Sequence, residues 1–286
     1  MHRSDGGRDP RSPSTSGSFE VGAAQTSAVD RFSWPGRRAS NPAGKEARRG
    51  VSAHCPAFLC IALFAVVRHP SGMLARILRL LPTSTIEGYE HPDLVSEIYA
   101  KTVAAEPTGE WPEIRNTETV LDFGGACGIH YKLARREAPL VRWAVVETPA
   151  MVRQAAQLET DHLRFFETIE AAASWLGTID LIHSNGAVQY TPNPIEMVRQ
   201  LAGVGAPRMQ WKRLFFSDQP LAERQRSMLI ENGPRAMGRV RFSTKAVTYD
   251  RKSFSRSEFE AAHVGYRVES SGSDWSDFVR EPSTAC

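Results

Sequence analysis

Val120-Leu121-Asp122-Phe123-Gly124-Gly125-Ala126-Cys127-Gly128 is the stretch on which the fold turns. An apolar strand runs into a glycine-rich turn, and helix-like residues follow from Ile129. Glycines there permit positive φ, let the backbone approach a ligand, and leave the first N–H groups of a helix pointing at it. The dinucleotide signature G-x-G-x-x-G is absent. Asp122 would repel a pyrophosphate but suits a ligand that carries an ammonium group. S-adenosylmethionine (SAM), with its amino group, carboxylate and sulfonium, is such a ligand.

Further along the chain, short β-rich runs alternate with helical ones. Strands are predicted over 119–123, 142–147, 162–166, 179–184 and 212–217, and helices over 129–137, 149–158, 169–176 and 194–201. Pro149 and Pro194 fall at first helical positions, where the N–H has no partner anyway. This alternation implies right-handed βαβ crossovers and a doubly wound, Rossmann-like α/β fold with a mostly parallel sheet. Two later runs, 245–249 and 266–270, flank a helix near 256–263 and are expected to add a final strand pair to that sheet. Residues 73–118 read as helices and a loop, a helical cap in front of the sheet, and 119–286 as the ligand-binding domain.

The second predicted strand ends in Glu147, whose carboxylate at the strand tip can accept from both hydroxyls of a ribose. Glu167 follows the third strand, where it either faces an adenine amino group or is a helix N-terminal charge favoured by the dipole. Ser184 and Asn185 close the fourth strand. Ser184 reads as a cofactor contact; Asn185 either orients a substrate or satisfies turn backbone. Gln189 and Tyr190 follow as candidate pocket residues. His183, Tyr131 and Cys127 read as core residues rather than chemistry. No residue singles itself out as a catalytic base.

At this point the chain resembles a family. In order, DFGGACG (122–128), WAVVETP (143–149), LRFFETIEAA (163–172) and IDLIHSNGAVQYTPNP (179–194) look like class I SAM-dependent methyltransferases. More narrowly, with GYEHPDLVSEIYAKT upstream and EFEAAHVGYRVESSGSDW downstream, the chain is similar to a family of bacterial methyltransferases known mainly from sequence. The resemblance covers roughly 86–275 and implies a seven-stranded sheet with SAM over the strand ends. It implies cofactor contacts from Asp122, Gly124 and Gly128 in a D-x-G-x-G-x-G loop and from Glu147 at the ribose. Two departures stand out: Ala126 replaces the middle glycine, with Gly125 beside it, and Phe216-Ser217-Asp218-Gln219 follows strand five where the family tends to show Asp-Arg-Thr. The expected reaction is methyl transfer from SAM to a small-molecule or saccharide-type acceptor. The competing readings are a non-catalytic SAM-fold binding protein and an NAD-dependent oxidoreductase.

Charge partitions unevenly over the 286 residues. Residues 1–72 hold ten basic and five acidic groups, so the formal +3 of the whole becomes −2 for 73–286. The overall basicity therefore gives no ground for a nucleic-acid partner. Residues 219–245 keep a local basic cluster (Arg224, Arg226, Arg235, Arg239, Arg241, Lys245), read either as a seat for an anionic substrate or as a solvated face. Residues 1–50 contain nineteen Gly, Pro or Ser, a composition expected to be disordered. The apolar run 55–67 is short for a bilayer-spanning helix, which needs about 20 residues, and lacks a signal-peptide cleavage site. Met73 is the expected start of the working protein, with a membrane anchor as the rival reading. Four cysteines without a CxxC pair exclude a disulfide scaffold and a zinc site, and they point to a cytoplasmic protein with reduced thiols.

Overall fold

The computed structural model describes residues 84–234 and 244–282. The leader 1–72, its apolar run, the expected start at Met73, and Arg235, Arg239 and Arg241 lie outside the described residues. No helix among the described residues is long and apolar enough to cross a membrane.

Seven strands form the main sheet. They are β2 (Thr119–Phe123), β3 (Arg142–Val146), β4 (Leu163–Phe166), β5 (Leu181–Asn185), β6 (Arg208–Lys212), β9 (Tyr266–Ser271) and β10 (Ser276–Arg280), in the order β4-β3-β2-β5-β6-β10-β9. The first five are parallel; β10 runs antiparallel to both β6 and β9. Every residue of β2 is buried, as are four of five in β3 and in β5. Central strands covered on both faces read as continuous apolar runs, which is why these were visible in the sequence. The crossovers are α2 (Ile129–Glu137), α3 (Pro149–Ala155), α4 (Ile169–Leu176) and α5 (Pro194–Gly203). The seven-stranded sheet expected from the resemblance is present.

A second, three-stranded sheet was not foreseen. It joins β1 (Ser84–Glu87), β7 (Ala222–Met228) and β8 (Lys245–Lys252) in the order β1-β8-β7. Residues 84–87 therefore correct the expectation of helices and a loop: they pair in parallel with 245–248, and Ile86 enters the core. α1 (Pro92–Ala104) follows and supplies the helical part of that region. The run 245–249 is a strand, but it belongs to this small sheet; the pair that completes the main sheet is β9 with β10. The fifth predicted strand also shifts, from 212–217 to Arg208–Lys212, ending where Arg213 takes a φ of +51°. The insert after strand five carries β7. There Arg224 is ion-paired to Glu87 at 2.6 Å, and Lys245 is paired to Asp93.

Candidate functional site

Where the parallel strands end, a cleft of about 630 Å³ opens, the location at which open α/β sheets bind ligands. The turn after β2 forms part of its lining through Gly124, Gly125 and Ala126. Two glycines are required here by space. A Cβ on Gly124 would lie 2.1 Å from the Ala187 Cβ, at a φ of +71°, and one on Gly125 would lie 2.2 Å from Asp122 Oδ2. Ala126 holds a φ of +50° without being glycine, and its N–H donates to Glu147 Oε1 at 3.0 Å. Gly128 N-caps α2 with a φ of +82°, behind the turn and outside the cleft lining.

Glu147 stands at the end of β3 and lines the cleft. Besides the Ala126 amide, its carboxylate accepts the Thr148 N–H at 2.9 Å through Oε2. Burial pushes the carboxyl up to about 7, against these two hydrogen bonds. Each oxygen keeps a lone pair beyond its amide, so the group can take two further donors, the requirement of a vicinal diol.

Asp122 has a different task from the one its charge suggested. Its side chain is fully buried and outside the cleft lining. The β2–β5 register sets Asp122 beside His183, and Oδ1 contacts His183 Nδ1 at 2.8 Å. Oδ2 accepts from Trp143 Nε1 at 3.1 Å and contacts His130 Nδ1 at 3.3 Å. Burial disfavours the charged carboxylate, but the two imidazoles outweigh it and hold the group below the usual range. Burial lowers the pKa of the His183 imidazole, against the pull of the Asp122 carboxylate, to which its Nδ1–H donates. The direct contact with a ligand ammonium expected of Asp122 is thus replaced by an internal network. Asp122, His130 and His183 gather donor atoms within 4.8 Å of one another, a set able to hold a cation in principle; here those contacts are hydrogen bonds within the set.

That network surfaces in the cleft at His130, on the first turn of α2. Its Nε2 lies 3.1 Å from Asn185 Nδ2. Arg213 Nε donates to Asn185 Oδ1, which leaves the Asn185 amide nitrogen facing His130. His130 Nε2 is then the acceptor and Nδ1–H points at Asp122, an imidazole oriented by a buried carboxylate. The Asn185 side chain therefore faces the cleft, held between His130 and Arg213.

The remaining expected contacts fall elsewhere. Ser184 is buried and donates to the Phe123 carbonyl at 3.0 Å, so it secures the strands and does not reach the cleft. Glu167 is exposed just before α4 and outside the lining. Cys127 and Tyr131 are core residues; burial raises the Cys127 thiol to about 12, which keeps it inert. Gln189 is buried and donates to the Arg213 carbonyl, whereas Tyr190 does line the cleft. The basic residues of β7, Arg224 and Arg226, are not among the lining residues; Gln225 and Ser227 of the same strand are.

Sequence reasoning named Tyr190 but missed its two partners in a tyrosine wall, Tyr89 and Tyr249, and an arginine, Arg213. Tyr89, Tyr190 and Tyr249 pack with ring centroids 4.6 to 5.4 Å apart, too close to hold a ligand between them, so they present a continuous surface. Tyr190 OH donates to Gln225 Oε1 at 3.2 Å. Arg213 directly follows β6; the strand expected over 212–217 put this residue inside the strand and so concealed it.

No protein-family model and no curated protein matches the sequence. Several solved structures are similar to it. One is the mitomycin 7-O-methyltransferase MmcR, at 17% identity and a TM-score of 0.38, covering 65% of this chain and 53% of that one. Another is an O-methyltransferase family protein from Burkholderia thailandensis, at 14% and 0.42, covering 67% and 56%. The sugar N-methyltransferase KedS8 from Streptoalloteichus, at 14% and 0.40, is covered over its whole length by 85% of this chain. The chain spans about half the length of the first two. At such identities and scores these likenesses assign no activity or substrate. The strand order itself describes the architecture: the chain carries a Rossmann-like, seven-stranded, mostly parallel sheet.

Proposed function

We propose that the protein is a SAM-dependent methyltransferase acting on a small-molecule or saccharide-type acceptor. The observation that carries this reading is Glu147. A cleft carboxylate, tied to the amide of a glycine-rich turn and left with lone pairs for a diol, fits the ribose of an adenosyl group. Gly124, Gly125 and Ala126 supply the close backbone approach beside it. When bound, SAM supplies an electrophilic methyl group on a sulfonium. The residues of this chain have to align the acceptor with it and exclude water. His130, whose Nδ1 contacts Asp122 and whose Nε2 faces Asn185, is the residue of this chain that would take a proton from an acceptor hydroxyl or amine that displaces the Asn185 amide.

Calorimetry with S-adenosylhomocysteine (SAH) and with NAD tests the reading. SAH should bind, and Glu147→Ala should abolish that binding while NAD gives no heat. Binding of NAD alone, or of neither ligand, would sink the proposal. If SAH binds but no acceptor in a broad screen is methylated, the non-catalytic SAM-fold reading gains, and Ala126 is the feature that favours it.

A further inference from the structure

We infer that Arg213, an exposed residue of the cleft lining, is a receptor for a carboxylate in the cleft, an inference that rests on the cofactor reading above. Four independent features converge on it. Of the described residues that line the cleft, it is the sole lysine or arginine, in company with Glu147 and Glu231. Its backbone holds a φ of +51°, a conformation that strains a non-glycine residue and persists where surroundings enforce it. Those surroundings are visible: Gln189 Nε2 donates to the Arg213 carbonyl at 3.0 Å. A Cβ on Gly186, itself at a φ of +70°, would stand 3.1 Å from the guanidinium carbon, so glycine makes room for the arginine.

The fourth feature is the state of the guanidinium. Nε and Nη2 donate to the side-chain and main-chain oxygens of Asn185, the latter at 3.0 Å. That fixes the plane of the group. Nη1 and the second hydrogen of Nη2 form the outer edge of the fork, and among the described residues neither they nor the charge have a carboxylate partner. A fixed plane with a free two-nitrogen edge matches a planar carboxylate bidentately. A lysine on the same backbone would offer charge without the fork.

Two ligands can bring such a carboxylate: the methionine moiety of the cofactor, or an acidic acceptor. The protein is titrated calorimetrically with SAH and with decarboxylated SAH, for wild type, Arg213→Met and Arg213→Lys. A cofactor origin predicts that Arg213→Met weakens SAH by about tenfold to a hundredfold. Decarboxylated SAH should be unaffected, and Arg213→Lys should restore part of the loss. An acceptor origin predicts unchanged SAH binding. On the SAH-loaded protein, the saturation-transfer signal of benzoate should then be lost in Arg213→Met, while that of benzamide persists. Equal weakening of SAH and its decarboxylated form would mean that Arg213 only props Asn185, and it would overturn the inference. So would an absence of any effect on SAH or benzoate. If wild type binds neither nucleoside, the cofactor reading itself has failed, an outcome distinct from the others.

Discussion

With Glu147 holding the ribose as proposed, affinity for an adenosyl ligand should depend on pH. Burial raises its carboxyl to about 7, whereas two ribose hydroxyls donating to it require the ionised form. Below pH 7 a bound ligand must therefore expel a proton. Between pH 8 and pH 6 the ionised fraction falls from about ten elevenths to about one eleventh, a loss of roughly tenfold in affinity or about 1.4 kcal/mol. The free protein responds with the opposite sign: its raised carboxyl binds a proton that an unfolded chain, with the ordinary value of 4.5, does not. This group's contribution to folding stability therefore grows as pH falls through that interval. SAH titrations at pH 8, 7 and 6, in two buffers of different ionisation enthalpy, measure both the affinity and the proton released. Glu147→Gln should bind more weakly at pH 8 and show a flat profile from 8 to 6. A flat wild-type profile, or a slope that survives in Glu147→Gln, would refute the assignment of the carboxylate to the ribose.

Three further outcomes concern stability. His263 is buried, stacked on Phe278 at 3.7 Å, and lowered to about 4 by burial. The unfolded chain protonates first as pH drops below 6.5, so wild type should lose about 2 kcal/mol between pH 7 and pH 5 in urea melts, and His263→Phe should lose much less. Ala126→Gly relieves a positive φ and should stabilise the protein by about 0.5–1 kcal/mol in thermal or urea unfolding, with SAH binding retained; destabilisation would contradict the strain argument. Gly125→Ala drives a methyl into the Asp122 carboxylate and should cost about 3 kcal/mol, detectable as a lowered urea midpoint, where a neutral result would disprove the packing.

Much of this architecture was legible because of how its strands are buried. β2, β3 and β5 are covered on both faces, and their apolar runs and following turns mark both the sheet and the position of Glu147. β7, by contrast, reads Ala-Glu-Arg-Gln-Arg-Ser-Met, a polar alternation that stands out only once β8 is known to pair with it. β10 reads Ser-Asp-Phe-Val-Arg, polar at three of its five positions, so it lacks the continuous apolar run that marks the central strands. Asp122 illustrates a harder limit. Its charge was evident, but its partners depend on inter-strand register, which sets His183 beside it and fills the carboxylate before any ligand arrives. Arg213 was hidden for a related reason: nothing in its immediate sequence signals a left-handed backbone at the end of β6.

The small sheet has a consequence for the order in which the molecule assembles. Ser84 pairs with Lys245, so β1 waits for a partner that lies far along the sequence. Closing so long a loop carries an entropic penalty before any contact rewards it, and such pairings form late. Tyr89 follows β1, and Gln225, Ser227 and Tyr249 sit on the other two strands. The glycine turn and Glu147, built from segments close in sequence, can be in place while this wall is still missing. A ribosome that has not yet delivered residue 252 holds a nascent protein with the glycine turn and Glu147 but no second wall. Truncations near the carboxyl end should thus uncouple nucleoside binding from recognition of whatever the tyrosines touch.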